Sequence, residues 1–377
     1  MIFSSDSRKH GDIYFKEGSM KRFITNALVM GIVCSGIVAA LGSRPAAAAE
    51  PANPPGALYV SYQNQDIIDV IDLATHKVLR TIKGIPMAHG LAFSPDGKRL
   101  YAASESEKPG EQDLYVVDVM TGKIIKKVPL SGVAHGNMTL TEDGKRLFVP
   151  AKSLPGGIDV IDTTTLERIK TIPMRNEMHD TIESPDGKFV IAGSTAGEFL
   201  TVVDVRTLEP VWEMEFDSHV QTLTAEAGPD GSTRRLLVNE KGYHGINVVD
   251  FAKQQVVAKI AVPETDRFKS NALKKLDSSP THGIEVAPDK KTLWQISKWG
   301  DAVFVYSLPD LKLLGHINVG KGPNWMIFSH DAKTVYAGNA AESSLSVIDA
   351  QTLKEVNRIE LRFPPRRFVE EPAVALP

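Results

Sequence analysis

The chain has 377 residues, a formal charge of −3 and 42% hydrophobic residues, a balance that suits a soluble globular protein and excludes a polyanion-binding surface, and with it nucleic acid as a partner. Its one cysteine, Cys34, falls in a segment read below as a removable leader, so disulfides, zinc–thiolate sites and cysteine nucleophiles are excluded from the mature protein. No Ser-His-Asp order, phosphate loop, CxxCH heme-attachment motif or dinucleotide fingerprint is present to open further classes.

In chain order, the first feature starts at Met20: Lys21 and Arg22, an apolar stretch from Ala27 to Leu41, then small residues ending in alanines at Ala49. This is the layout of a cleavable signal peptide, and the apolar stretch is shorter than the ~20 residues of a spanning helix. Residues 1–49 are therefore expected to be leader. Residues 20–49 form the signal peptide and 1–19 are read as an overlong start. Periplasmic export, with no membrane span after cleavage, follows.

The remaining residues, 50–377, are expected to form one domain, because internal repetition overrides what length alone suggests. A single strand, ALYVSYQ from Ala57, is followed by the first of seven similar segments, DIIDVIDLATHKVLRTI from Asp66. Each of the seven predicts a hairpin turning after a Val-Asp or Ile-Asp pair or its equivalent. The aspartates Asp72, Asp118, Asp162, Asp204, Asp250 and Asp349 are read as turn-formers. A second class of hairpin alternates with the first: AHGLAFSPDGKRLYAAS from Ala88, AHGNMTLTEDGKRLFVPAK from Ala134, MHDTIESPDGKFVIAGS from Met178, a diverged copy at His219, THGIEVAPDKKTLWQIS from Thr281 and PNWMIFSHDAKTVYAGN from Pro323. Two hairpins in succession make a four-stranded antiparallel sheet, and their recurrence at a period of roughly 40 to 46 residues predicts an all-β, seven-bladed β-propeller. The first blade lacks its innermost strand, and the C-terminal segment from Arg367 is the available donor, which would remove an open sheet edge.

The phrases SPDGKRLY and VIDTTTLE resemble the YVTN family of β-propeller repeats, and the resemblance extends over essentially the whole mature chain. It implies the fold and is nearly silent on function. Where that family places proline and glycine before the Ser-Pro-Asp-Gly turn, this chain places histidine. Counted back from the turn, His89, His135, His179 and His282 share one register, Asn324 fills it in the last blade, and His219 is assigned to it in the diverged blade.

First residues of innermost strands lie at the channel mouth, so five imidazoles are expected to converge there. Imidazole sites suit copper, iron or zinc rather than magnesium or calcium. Asp180, Glu177 and Asn324 are candidates for orienting these rings. The loops from Glu105, Glu240, Lys298 and Asn339 should surround them, which makes His244 and Tyr243 candidates for substrate binding or proton transfer. An insertion from Glu264 to Ser279 reads as a lid whose Arg267, Lys269, Lys274 and Lys275 favour an anionic substrate.

Three functions remain open. One is a metal-dependent enzyme acting on a small molecule, similar in kind to the histidine-bound copper cluster of nitrous oxide reductases but without their cupredoxin domain or full histidine set. The second is a metal carrier resembling propeller metallochaperones, without their histidine-rich flaps. The third is a scaffold that binds a periplasmic protein partner and needs no metal.

Overall fold

The computed structural model describes residues 56–153, 156–275 and 277–372. The expected leader, residues 1–49, lies outside them. Twenty-eight strands form seven four-stranded antiparallel sheets arranged as the blades of a propeller. No helix among the described residues is long and apolar enough to cross a membrane.

Blade one combines the strand Pro365–Glu370 with Ala57–Tyr62, Ile67–Asp72 and Val78–Lys83. The distant strand therefore pairs with Ala57–Tyr62, and the Arg367 amide donates to Ser61 Oγ at 3.2 Å. Its first residue is Pro365, two places before Arg367. The core lies between blade faces, which is why the central strands are apolar on both sides. Ala57 and Tyr59 pack toward blade two with Leu91, Leu100 and Tyr115. Leu58, Val60 and Tyr62 pack toward blade seven with Tyr336 and Leu345. Each such buried side chain contributes about 1.5–3 kcal/mol.

The turns show why these hairpins form. Asp118 Oδ1 accepts from the Thr121 amide at 2.8 Å and its hydroxyl at 2.6 Å. Asp72, Asp162, Asp204, Asp250 and Asp349 make the corresponding turn bonds. In the inner hairpins Ser94 donates to Asp96, and Gly97 takes φ = 66°. Glycine adopts that conformation freely, but the last two blades place Lys290 and Ala332 there, at φ = 61° and 57°, where an L side chain is strained.

Candidate functional site

In blades one, two, five, six and seven the inner strand opens with one extra residue, and the resulting bulge turns a side chain into the channel mouth. In blade two, Ala88 pairs with Ser104 and Gly90 with Ala103, so His89 is the extra residue. The same shift singles out Asn324 in blade seven and places His282 at the start of blade six. His135 follows the bridge between Ala134 and Ala151, and His179 precedes the paired Thr181.

Two positions differ from the sequence expectation. In blade five the shift lies between Val220 and Leu223, so Gln221 takes the shared position and His219 stands two residues earlier. The strand Val220–Ala227 has 8 residues where Ala88–Phe93 has 6, which displaces any count made back from the turn. In blade one the extra residue is Arg366, between Pro365 and Arg367. The ring is therefore Arg366, His89, His135, His179, Gln221, His282 and Asn324, with four imidazoles instead of five.

Those four pack against one another. Ring centroids are 5.1 Å apart for His89 and His135, 4.6 Å for His135 and His179, 5.9 Å for His89 and His179, and 6.0 Å for His179 and His282. His89, His179 and His282 are 2%, 3% and 7% exposed. Burial, reinforced by the charges of Arg366 and Arg367, holds His89 and His282 well below the ordinary 6.5. Burial together with the neighbouring imidazoles does the same for His135. Burial also lowers His179, while Asp180 opposes it. These are neutral rings at neutral pH.

A carboxylate that the sequence reading passed over completes the cluster. Glu105 follows the strand Arg99–Ser104 and presents Oε2 at 3.0 Å from His89 Nδ1 and Oε1 at 3.6 Å from His135 Nε2. Ligand atoms of His89, Glu105 and His135 lie within 4.8 Å of one another. Burial works against charge on Glu105, but Arg366, His135 and Lys152 outweigh it and hold the carboxyl below its usual range. Arg366 donates to Glu105 Oε2 at 2.5 Å and lies 3.1 Å from His89 Nδ1.

Hydrogen bonds set the tautomers. His179 Nδ1 donates to the Gln221 carbonyl at 2.8 Å, which leaves a lone pair on Nε2. His89 Nδ1 accepts from the Gly136 amide at 3.1 Å, which puts its proton on Nε2. Among the described residues, His135 Nδ1 and His282 Nδ1 are buried without a hydrogen-bond partner. Orphaned ring nitrogens beside a carboxylate are what a ligand-holding cluster leaves when only its protein atoms are considered.

The other candidates lie elsewhere. Asp180 accepts from the Asn137 amide at 2.6 Å and from Arg367 at 3.2 Å, so it balances a buried arginine, with His179 Nδ1 at 3.3 Å. Glu177 is half-buried, and no contact of its carboxylate with the imidazoles is found among the described residues. His244 does not join the ring: it stacks on Phe268 at 4.2 Å and bonds Ser297 Oγ at 2.8 Å. Burial first and Lys274 second press it down to about 4. Tyr243 is half-buried beside Lys259.

Phe268 belongs to the insertion, where Thr265 caps the short helix Asp266–Ser270. Three of the insertion's four cations are engaged locally, and Lys275 is exposed. Arg267 donates to the Val319 carbonyl at 3.0 Å, Lys269 pairs with Asp266, and Lys274 lies over Phe268. A different set of cations surrounds the mouth: Lys152, Lys241 and Lys298 each follow the second strand of their blades, the register that Glu105 occupies in blade two.

Comparison with known proteins follows the same lines. Residues 54–229 match the family described as "Cytochrome D1 heme domain". No curated protein sequence matches the chain. Among solved structures it is similar to hydrazine synthase from Kuenenia stuttgartiensis, with 19% identity, 78% of this chain and 92% of that chain covered, and a TM-score of 0.65. A protein from Bacteroides fragilis assigned as a 6-phosphogluconolactonase gives 14% identity, coverage of 84% and 97%, and a TM-score of 0.66. The dihydro-heme d1 dehydrogenase NirN in complex with DHE gives 16%, coverage of 87% and 77%, and a TM-score of 0.61. At these identities the likeness shows the fold.

Proposed function

We propose that this chain is a periplasmic metal-binding propeller in which His135, His179, His89 and Glu105 hold a transition metal ion at the channel mouth. In this reading it is a metal-dependent enzyme acting on a small anionic substrate. The observation that carries the proposal is the convergence of four neutral imidazoles, three of them buried and His135 half-buried, and one carboxylate, with two ring nitrogens lacking hydrogen-bond partners among the described residues. An imidazole and carboxylate set suits iron, zinc or copper. His135 and His179 have lone pairs ready. His89 must first release the Gly136 amide, and Arg366 must turn away from Glu105. The rim lysines Lys152, Lys241 and Lys298 support the anionic substrate, and the expected leader at residues 20–49 supports the periplasm.

The heme named in the matched family meets a different constraint at this mouth. Four rings in edge contact leave no slot for a flat macrocycle among them. A heme fits only across the mouth, where His135, with its side chain 20% exposed, is the ring placed to reach an iron. The match over residues 54–229 favours this second reading over the carrier and the scaffold.

Elemental analysis of the purified protein, beside a variant carrying His89→Ala, His135→Ala and His179→Ala, tests both readings. Near-stoichiometric copper, iron or zinc that disappears in the variant is expected, without the intense Soret absorption that heme would bring. Iron accompanied by that absorption replaces the first reading with the second. Absence of metal, with no uptake when metal salts or heme are added, overturns both.

A further inference from the structure

Behind the ring the inner strands enclose a cavity of about 400 Å³. Its walls are residues one to three places beyond the ring positions on every blade, among them Leu91, Met138, Ile182, Thr224 and Trp325, so the cavity is the central channel itself. The wall is apolar over most of its extent. Its one carboxyl belongs to Glu285, three residues beyond His282 on the strand Thr281–Val286. Glu285 is half-buried, desolvation at the apolar wall disfavours charge on its carboxyl, and no ion pair or hydrogen bond of its side chain is found among the described residues. The other charged lining group, Arg367, is already paired with Asp180 and stacked on Trp325 at 4.0 Å.

We propose that this channel is a binding site for small alkylammonium cations, with Glu285 as the counter-charge and the apolar wall seating the alkyl chain. An unpartnered carboxyl in an apolar enclosure gains most from a cation, and offers little to a neutral solute and nothing to an anion. A hard metal cation requires six or more oxygen ligands, and the wall supplies one carboxyl. The volume falls within the range of small-molecule pockets.

Burial pushes Glu285 up to about 8, so binding at neutral pH must expel a proton. Affinity therefore rises with pH and levels off near that value, by about tenfold per pH unit at most.

Titration calorimetry of the full chain with n-butylammonium chloride, at about pH 7 and about pH 9, tests this, with 1-butanol and sodium butyrate as controls. The wild type is expected to bind butylammonium more tightly at the higher pH, releasing a proton at the lower. Glu285→Gln, nearly isosteric and without charge, is expected to weaken binding by about tenfold or more and to remove the pH dependence. Equal affinity in wild type and Glu285→Gln, butanol binding as well as butylammonium, or no binding at either pH overturns the proposal. The urea midpoint of Glu285→Gln confirms that the variant folds. Its metal content is expected to equal that of the wild type, so failure here and failure of the metal reading are distinguishable.

Discussion

Arg367 is 1% exposed and Asp180 2%, and they meet across the channel from blades one and four. Burial lowers the guanidinium to about 10, so it is still charged at neutral pH. Arg367→Met removes the guanidinium from the face of Trp325 and strands the Asp180 charge, whose remaining neighbours include the Asn137 amide at 2.6 Å. Breaking a buried pair from one side costs about 3–5 kcal/mol, a large share of the 5–15 kcal/mol that holds an ordinary domain together. Adding Asp180→Asn removes the stranded charge and keeps an acceptor for Asn137, and is expected to restore about 2 kcal/mol of the loss. Urea unfolding followed by tryptophan fluorescence, with Trp325 beside the perturbation, measures both variants at constant slope. A single variant as stable as the wild type, or a double variant no more stable than the single, refutes the view that Arg367 is held by its charge.

Two further outcomes follow from the fold. His244 is neutral when stacked on Phe268, and its folded value of about 4 lies below the ordinary 6.5. Above 6.5 both folded and unfolded forms are neutral and the contact is fully present. As pH falls from 6.5 toward 4 only the unfolded form takes the proton, so the anchoring of residues 264–275 weakens in that window. Hydrogen exchange in the insertion should accelerate there, and His244→Phe should abolish the pH dependence while keeping the stack. At the last inner hairpin, Ala332→Gly removes strain at φ = 57° and is expected to raise stability by roughly 0.5–1 kcal/mol in the same urea assay, the relief exceeding glycine's entropy cost. A fall in stability would show that the turn is not strained.

The propeller was legible because its turns are written in side chains: Asp-Gly pairs and Asx turns recur in blade after blade, and the strands between them are apolar on both faces. The ring was legible only where the distance from turn to bulge is nearly constant. His89, His135, His179 and His282 satisfy that condition. Gln221 does not, because the strand before its turn is longer. Arg366 was invisible to the same count, since its strand is contributed without a following Asp-Gly turn and its neighbour Arg367 pairs with Ser61, 306 residues earlier. Glu105 looked like the start of a polar loop. Nothing in ESEKPGEQ reveals that its first two residues, Glu105 and Ser106, are buried while the four that follow are exposed. The setting of His244 was hidden for a related reason, because the insertion carries the aromatic ring that covers it.

The pairing of Pro365–Glu370 with Ala57–Tyr62 also makes assembly of the site conditional. Six ring positions are laid down as the chain is synthesised, but the seventh, and the arginine beneath it, arrive with the last strand. Contacts so distant in sequence form late. Until they form, Glu105 faces the imidazoles without its guanidinium partner. A chain lacking Pro365–Glu370 would therefore carry every histidine of the cluster and still lack the charge balance that shapes it, so closure of the propeller is registered at the cluster itself.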